Sequence, residues 1–261
     1  MFRTSNPTLN PATFEQSRAY TQADAMTIQG TVNKCFFLLL LVILSAVWVW
    51  NQALSTGPVI AGYAREISAS QINAAAGGYV MFGAIAGFIA ALVTIFKREW
   101  SPVTAPIYAL LEGMVLGGVS AMYQVMYEGI VAQAVMLTVA VLLIMLLIYK
   151  TGIIPINQKF MMGLTMATGA IFLVYLCSWI FSFFGRSLPF IYSSTPMGIG
   201  FSVIVVGIAA FNLLADFYMI EQGSRMGAKK HMEWYGAFGL MVTLIWLYLE
   251  ILRLLAKMRR R

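Results

Sequence analysis

The sequence predicts an all-α, polytopic membrane protein with a bundle of seven transmembrane helices. Three observations predict it. Of 261 residues, 60% are hydrophobic and only 10% are charged, whereas soluble domains carry about 25% charge. The apolar residues gather in continuous blocks about 20 residues long, the length that crosses hydrocarbon at about 1.5 Å rise per residue. Lysine and arginine fall mostly in alternate loops, the asymmetry that orients helical membrane proteins. Hydrocarbon satisfies no backbone hydrogen bond, so a spanning segment is a helix or part of a closed barrel. Barrel strands show alternating segments of about ten residues, and these blocks do not alternate.

Residues 1–32 are rich in Ser, Thr, Asn, Gln and Pro and read as a mobile polar tail on the cytoplasmic side. No apolar stretch precedes Cys35, so no signal peptide is expected there. The transmembrane domain is expected over 33–261, with spans at Asn33–Ala53, Ala74–Phe96, Val103–Val125, Gly129–Tyr149, Met161–Phe184, Met197–Ile220 and Trp234–Ala256. Gln124–Glu128, between the third and fourth, is short enough for a tight helical hairpin. Leu54–Asn73 is the longest loop and has room for a short surface helix. Gly83 with Gly87, and Gly113 with Gly117 and Gly118, have the small-residue spacing that lets helices approach closely. The seventeen methionines read as adaptable core filler. Cys35 and Cys177, both inside spans, read as small core residues and offer neither a disulfide framework nor metal-ligand spacing.

With the N-terminus in the cytoplasm, that side holds Arg3, Arg18, Lys34, Lys97, Arg98, Lys150, Lys159, Arg225, Lys229 and Lys230, against Arg65 and Arg186 opposite. Ten against two orients the chain N-terminus inward, across a cytoplasmic (inner) membrane. Seven spans then place Arg253, Lys257 and Arg259–Arg261 outside, unless the last helix re-enters and returns. The net charge of +7 belongs to residues beside the spans, where it anchors helices against anionic lipid. The lipid bilayer is therefore the expected partner, and nucleic acid is not.

Chemistry is narrowed by what is missing. The single histidine, His231, lies in a loop and cannot form a paired haem site or a His-Glu-x-x-His zinc site. No phosphate loop or dinucleotide fingerprint occurs, and no nucleophile–base pair stands out. No enzyme activity and no cofactor are expected. Of ten acids, three fall well inside spans: Glu112, Asp216 and Glu250. Charge at such depth is costly and marks an ion or proton pathway or a structural pair. Glu112 lies about 15 Å in, near the midplane, with no base within two turns. Asp216 lies about 8 Å from the cytoplasmic end, where it can snorkel to headgroups or bond Asn212 one turn before it. Glu250 lies near the outer end and has Arg253 at i,i+3 as a structural partner.

The stretches EWSPVTAPIY at Glu99–Tyr108, LEGMVLG at Leu111–Gly117 and MEWYGAFGLMVTLIWLYLEILRLL at Met232–Leu255, together with SNPTLNP around Pro7, resemble the bacterial branch of the Bax inhibitor-1 family. The resemblance covers nearly the whole chain. It implies a seven-helix bundle with the last helix central, and a pH-sensitive calcium leak. Animal members of that family are linked to suppression of cell death, and some bacterial members to membrane proteolysis. The resemblance also implies a pair of proton-sensing acids on the last two helices. The first falls on Asp216, in LLADFYMIE. For the second, an ungapped match puts Thr243 where the family often has Asp, and a match shifted onto LYLE puts Glu250 there. Thr243 and Glu250 are seven apart, hence on one helix face.

Calcium, as the transported ion, suits oxygen ligands. The alternative expectation is a non-transporting scaffold that modulates a membrane protease or another membrane protein.

Overall fold

The structure is a computed structural model and describes residues 24–55, 69–184 and 193–260. Among the described residues, seven helices are long and apolar enough to cross a membrane: α1 (Ile28–Ser55), α2 (Ala69–Phe96), α3 (Ser101–Met126), α4 (Ile130–Thr151), α5 (Gln158–Phe183), α6 (Pro196–Arg225) and α7 (Met232–Arg259). Among the described residues there is no strand, only one isolated bridge between Ala25 and Lys229.

The expected spans are found, and most helices outrun them, though α4 starts one residue after Gly129 and α5 stops one before Phe184. α1 begins at Ile28, five residues before Asn33, and α2 at Ala69, five before Ala74. The apolar pattern marks hydrocarbon, while helix persists into the headgroup layer where polar side chains are tolerated. Residues 1–23 of the expected tail, and 56–68 of the expected long loop, lie outside the described residues. α3 ends at Met126 and α4 begins at Ile130, and the turn between them uses Gly129 at φ +76°. That left-handed angle costs a glycine nothing. α7 is one unbroken helix, with no interruption at which it turns back.

The chain divides into two compact units. The first, Gln29–Val131 with His231–Phe238, comprises α1, α2, α3 and the opening turns of α7. Its interior is built on α3 glycines. A Cβ on Gly113 would strike the Val42 carbonyl of α1, and one on Gly117 the Ala46 carbonyl. Toward α2, a Cβ on Gly83 would lie 2.6 Å from the Leu111 carbonyl, and one on Gly118 would strike the Val80 side chain. The close packing expected of these small residues is thus present at Gly83, Gly113, Gly117 and Gly118. Gly87 is looser, its added Cβ 3.6 Å from Leu111 Cβ. Ser45 Oγ donates to the Leu110 carbonyl at 2.6 Å, and Thr94 and Thr104 share a hydrogen bond of 2.8 Å between α2 and α3. Such bonds hold polar side chains that lipid would not satisfy.

The opening turns of α7 are tied to α1 and α3. Glu233, fully buried, forms an ion pair with Lys34, whose ammonium also lies over the Trp234 ring. Ser101 Oγ donates to the His231 carbonyl at 2.9 Å. The Arg98 guanidinium lies 5.9 Å from the Tyr235 ring centroid, and Tyr108 packs edge-on to Phe238.

The second unit comprises Ala132–Lys230 and Gly239–Arg261, joined by the residues up to Ile28. It contains nearly all of α4, then α5, α6 and the remainder of α7. Asn157 caps α5 by accepting from Phe160 N–H, and Thr195 caps α6 by accepting from Gly198 N–H, each satisfying an otherwise orphaned donor. Pro196 follows the Thr195 cap, where its missing N–H is no loss. Asn212 Nδ2 of α6 donates to Thr168 Oγ1 of α5 at 2.9 Å. Gly227, at φ +67°, turns the chain from α6 toward α7, and Met26 N–H donates to the Ala228 carbonyl beside it.

Large apolar side chains such as Phe36, Phe88, Leu147 and Phe172 face outward, as a hydrocarbon surround requires. Two readings of the sequence need correction here. Met81, Met136, Met166 and Met197 are outward-facing, and only some methionines, such as Met161, Met219 and Met241, fill the core. Cys35 is buried as expected, but Cys177 is exposed. In lipid both the inside and the outside of a bundle are apolar, so composition does not tell the two faces apart.

Candidate functional site

The intramembrane carboxyls sit in two settings. In the first unit, Glu112 is part-buried on α3 and hydrogen-bonded by Tyr108, one turn earlier on the same helix. A Cβ on Gly87 would lie 3.7 Å from Glu112 Oε2.

In the second unit, four of the expected residues are almost fully enclosed: Asp216 is 1% exposed, Glu250 2%, Asn212 3% and Thr243 4%. Asp216 and Asn212 lie one turn apart on α6, with Leu213, Leu214 and Ala215 buried around them. Asn212 Nδ2 reaches Thr168 and also the Ile208 carbonyl, each at 2.9 Å. Thr243 Oγ1 donates back to the Gly239 carbonyl at 3.4 Å, within its own helix. Asp216 is not at the surface, so the snorkelling considered from sequence does not describe it.

Glu250 is the most elaborately held of the acids. Arg253 Nη1 donates to both its oxygens, at 2.9 and 3.0 Å, so the i,i+3 pairing expected from sequence is formed. Tyr175 of α5 donates its hydroxyl to the same carboxylate at 3.0 Å and accepts from Arg253 at 2.7 Å. Trp246 Nε1 adds a longer contact of 3.3 Å. The three side chains Tyr175, Glu250 and Arg253 form a closed ring of charge-assisted hydrogen bonds, which balances a carboxylate removed from water.

One turn beyond, Lys257 reaches the Gly198 carbonyl and Ser202 Oγ of α6. Sequence reasoning counted Lys257 into the basic tail and passed over Tyr175, Thr168 and Ser202, because each works through a partner on another helix. Tyr108 was within reach of sequence, as the i−4 neighbour of Glu112. Among the described residues no three His, Cys, Asp or Glu side chains come together.

A family model described as Bax inhibitor 1 like matches residues 6–260, nearly the whole chain. No curated protein and no solved structure matches it.

Proposed function

Because the chain belongs to the Bax inhibitor 1 like family and is a multi-pass membrane protein, we propose that it is a pH-sensitive cation leak, with calcium as the ion. The observation that carries this reading is the burial of Asp216 and Glu250 in adjacent spans of the second unit. Buried intramembrane acids are costly and are kept where protons or cations move. Glu250 is bonded by Arg253 and Tyr175, and we assign the pH response to Asp216, the acid on which the family resemblance falls first. Asp216 faces its neighbours with the neutral Asn212 beside it, and its protonation state decides how much negative charge the interior carries. Glu112 serves as a separate station in the first unit. Calcium is cargo rather than a resident cofactor, and its oxygen-ligand preference fits these groups.

We further assign the N-terminus to the cytoplasmic side of the inner membrane, from the ten-to-two loop charge bias. The last helix is the most buried of the seven described, which supports a central place for it. We assign no catalytic activity.

The test is calcium entry into dye-loaded vesicles containing the purified protein, stepped over roughly pH 5 to 8, the range in which protein acid–base switches act. Flux above empty vesicles that changes with pH is expected. Flux equal to empty vesicles at every pH, with a membrane protein partner co-purifying, would select the scaffold reading instead.

A further inference from the structure

The last turns of α7 carry a buried cation in an unusual setting. Lys257 is 5% exposed, and its ammonium donates to the Gly198 carbonyl at 2.9 Å and to Ser202 Oγ at 2.7 Å. Both acceptors are neutral oxygens in the first two turns of α6. The start of α6 is the positive end of its dipole, where a cation is disfavoured, and this offsets the favourable place of Lys257 in the last turn of α7. Arg253, one turn back on α7, is also within electrostatic reach and repels it. Glu250 is within reach too, but Arg253 and Tyr175 already occupy its oxygens. As a purely structural device this is a poor choice, since an apolar residue of similar length avoids the desolvation of a charge. It is, however, how a cation is held in an oxygen-lined site.

We propose that the Gly198 carbonyl and the Ser202 hydroxyl form a binding site for a monovalent cation of ammonium or potassium size, and that Lys257 fills it as a tethered occupant. Carbonyl and hydroxyl oxygens replace the hydration shell of such ions in membrane pores. Glu250 offsets part of the repulsion from Arg253. The lysine stem delivers the ammonium at a high effective concentration, so an ion from solution competes poorly while Lys257 is in place. The site is thereby kept closed. The proposal rests on the leak reading above, because a filled site matters only where ions arrive.

The experiment uses the full chain in vesicles, with thallium as the potassium-like probe. Lys257→Ala removes the tethered ammonium and leaves a space the shape of propylammonium. Thallium flux should rise roughly tenfold or more over wild type at equal protein per vesicle. Millimolar propylammonium should suppress that rise, and propanol, its neutral counterpart, should not. Adding Ser202→Ala should weaken the propylammonium block, and Lys257→Arg should stay near wild type. Should the alanine variant fail to fold, Lys257→Met carries the flux comparison on a side chain of similar length. Wild type leaking calcium with pH while Lys257→Ala and Lys257→Met match it in thallium flux would overturn the plug and leave the leak reading standing. A raised flux that propylammonium does not touch would also overturn it, as loosened packing. Silence from wild type and variants alike would sink both.

Discussion

Gly117 of α3 and Ala46 of α1 meet backbone to backbone, with no room for a Cβ between Gly117 and the Ala46 carbonyl. Gly113 meets Val42 the same way one turn earlier. A Cβ has no rotamer, and main chain does not step aside, so neither contact can relax locally. Gly117→Ala is expected to destabilise by about 1–3 kcal/mol, the usual cost of overpacking. Gly207 of α6, by contrast, has nothing within 4 Å of an added Cβ. Gly207→Ala should be neutral or gain up to ~1 kcal/mol from the better helix former. Thermal unfolding in detergent measures both, and equal shifts would refute close packing at Gly117.

Arg253 and Glu250 predict an asymmetry. Arg253→Met strands a carboxylate that is 2% exposed, at a cost of about 3–5 kcal/mol for a buried charge without its partner. Glu250→Gln keeps an acceptor for Tyr175 and leaves Arg253, which is part-exposed, free to turn outward. Its cost should be smaller. Unfolding of the two variants side by side in detergent decides the order, and the reverse order would show that the ring is held by the arginine rather than around the acid.

Lys34 and Glu233 make the same point in the first unit. Lys34→Met should destabilise strongly, because Glu233 is fully buried. The double variant Lys34→Met with Glu233→Met should recover part of the loss, since an apolar pair removes the stranded charge. A double variant as unstable as the sum of the singles would mean that the two side chains act independently.

Asp216→Asn keeps size but cannot titrate. Calcium flux through the variant should lose most of its pH dependence while the protein still folds and inserts. Glu250→Gln should move the pH curve less, because that acid is locked to Arg253 and Tyr175. Thr243→Asp should supply the second acid that the resemblance implies and shift the pH midpoint. An unchanged pH–flux curve in Asp216→Asn would exclude it as the sensor and leave Glu112 to be tested.

The seven helices were legible because bilayer thickness imposes one length on every span. Their ends were less so: the sixth was expected to finish at Ile220 and continues to Arg225, since Glu221 and Arg225 pair at i,i+4 and support helix past the hydrocarbon. Glu250 with Arg253 was readable for the same reason, as neighbours on one helix. Tyr175, Ser202 and Thr168 were not, because a hydroxyl inside a span has no visible partner until another helix is placed beside it. Glu233 looked like an ordinary edge residue. Its burial depends on Lys34 and on Gly30, where a Cβ would strike the Glu233 carboxylate, and nothing local announces either.

That last contact also bears on biosynthesis. Lys34 and Glu233 are 199 residues apart, so the first helix leaves the ribosome long before its counter-ion has been translated. Through that interval the ammonium must stay hydrated at the membrane surface, and α1 must wait there with its glycine notch empty. The seventh helix closes the ion pair and, with Ser101 donating to His231, completes the first unit only once its opening turns have been made. A nascent chain arrested before Glu233 would hold its early helices in the membrane without the ion pair that fastens them.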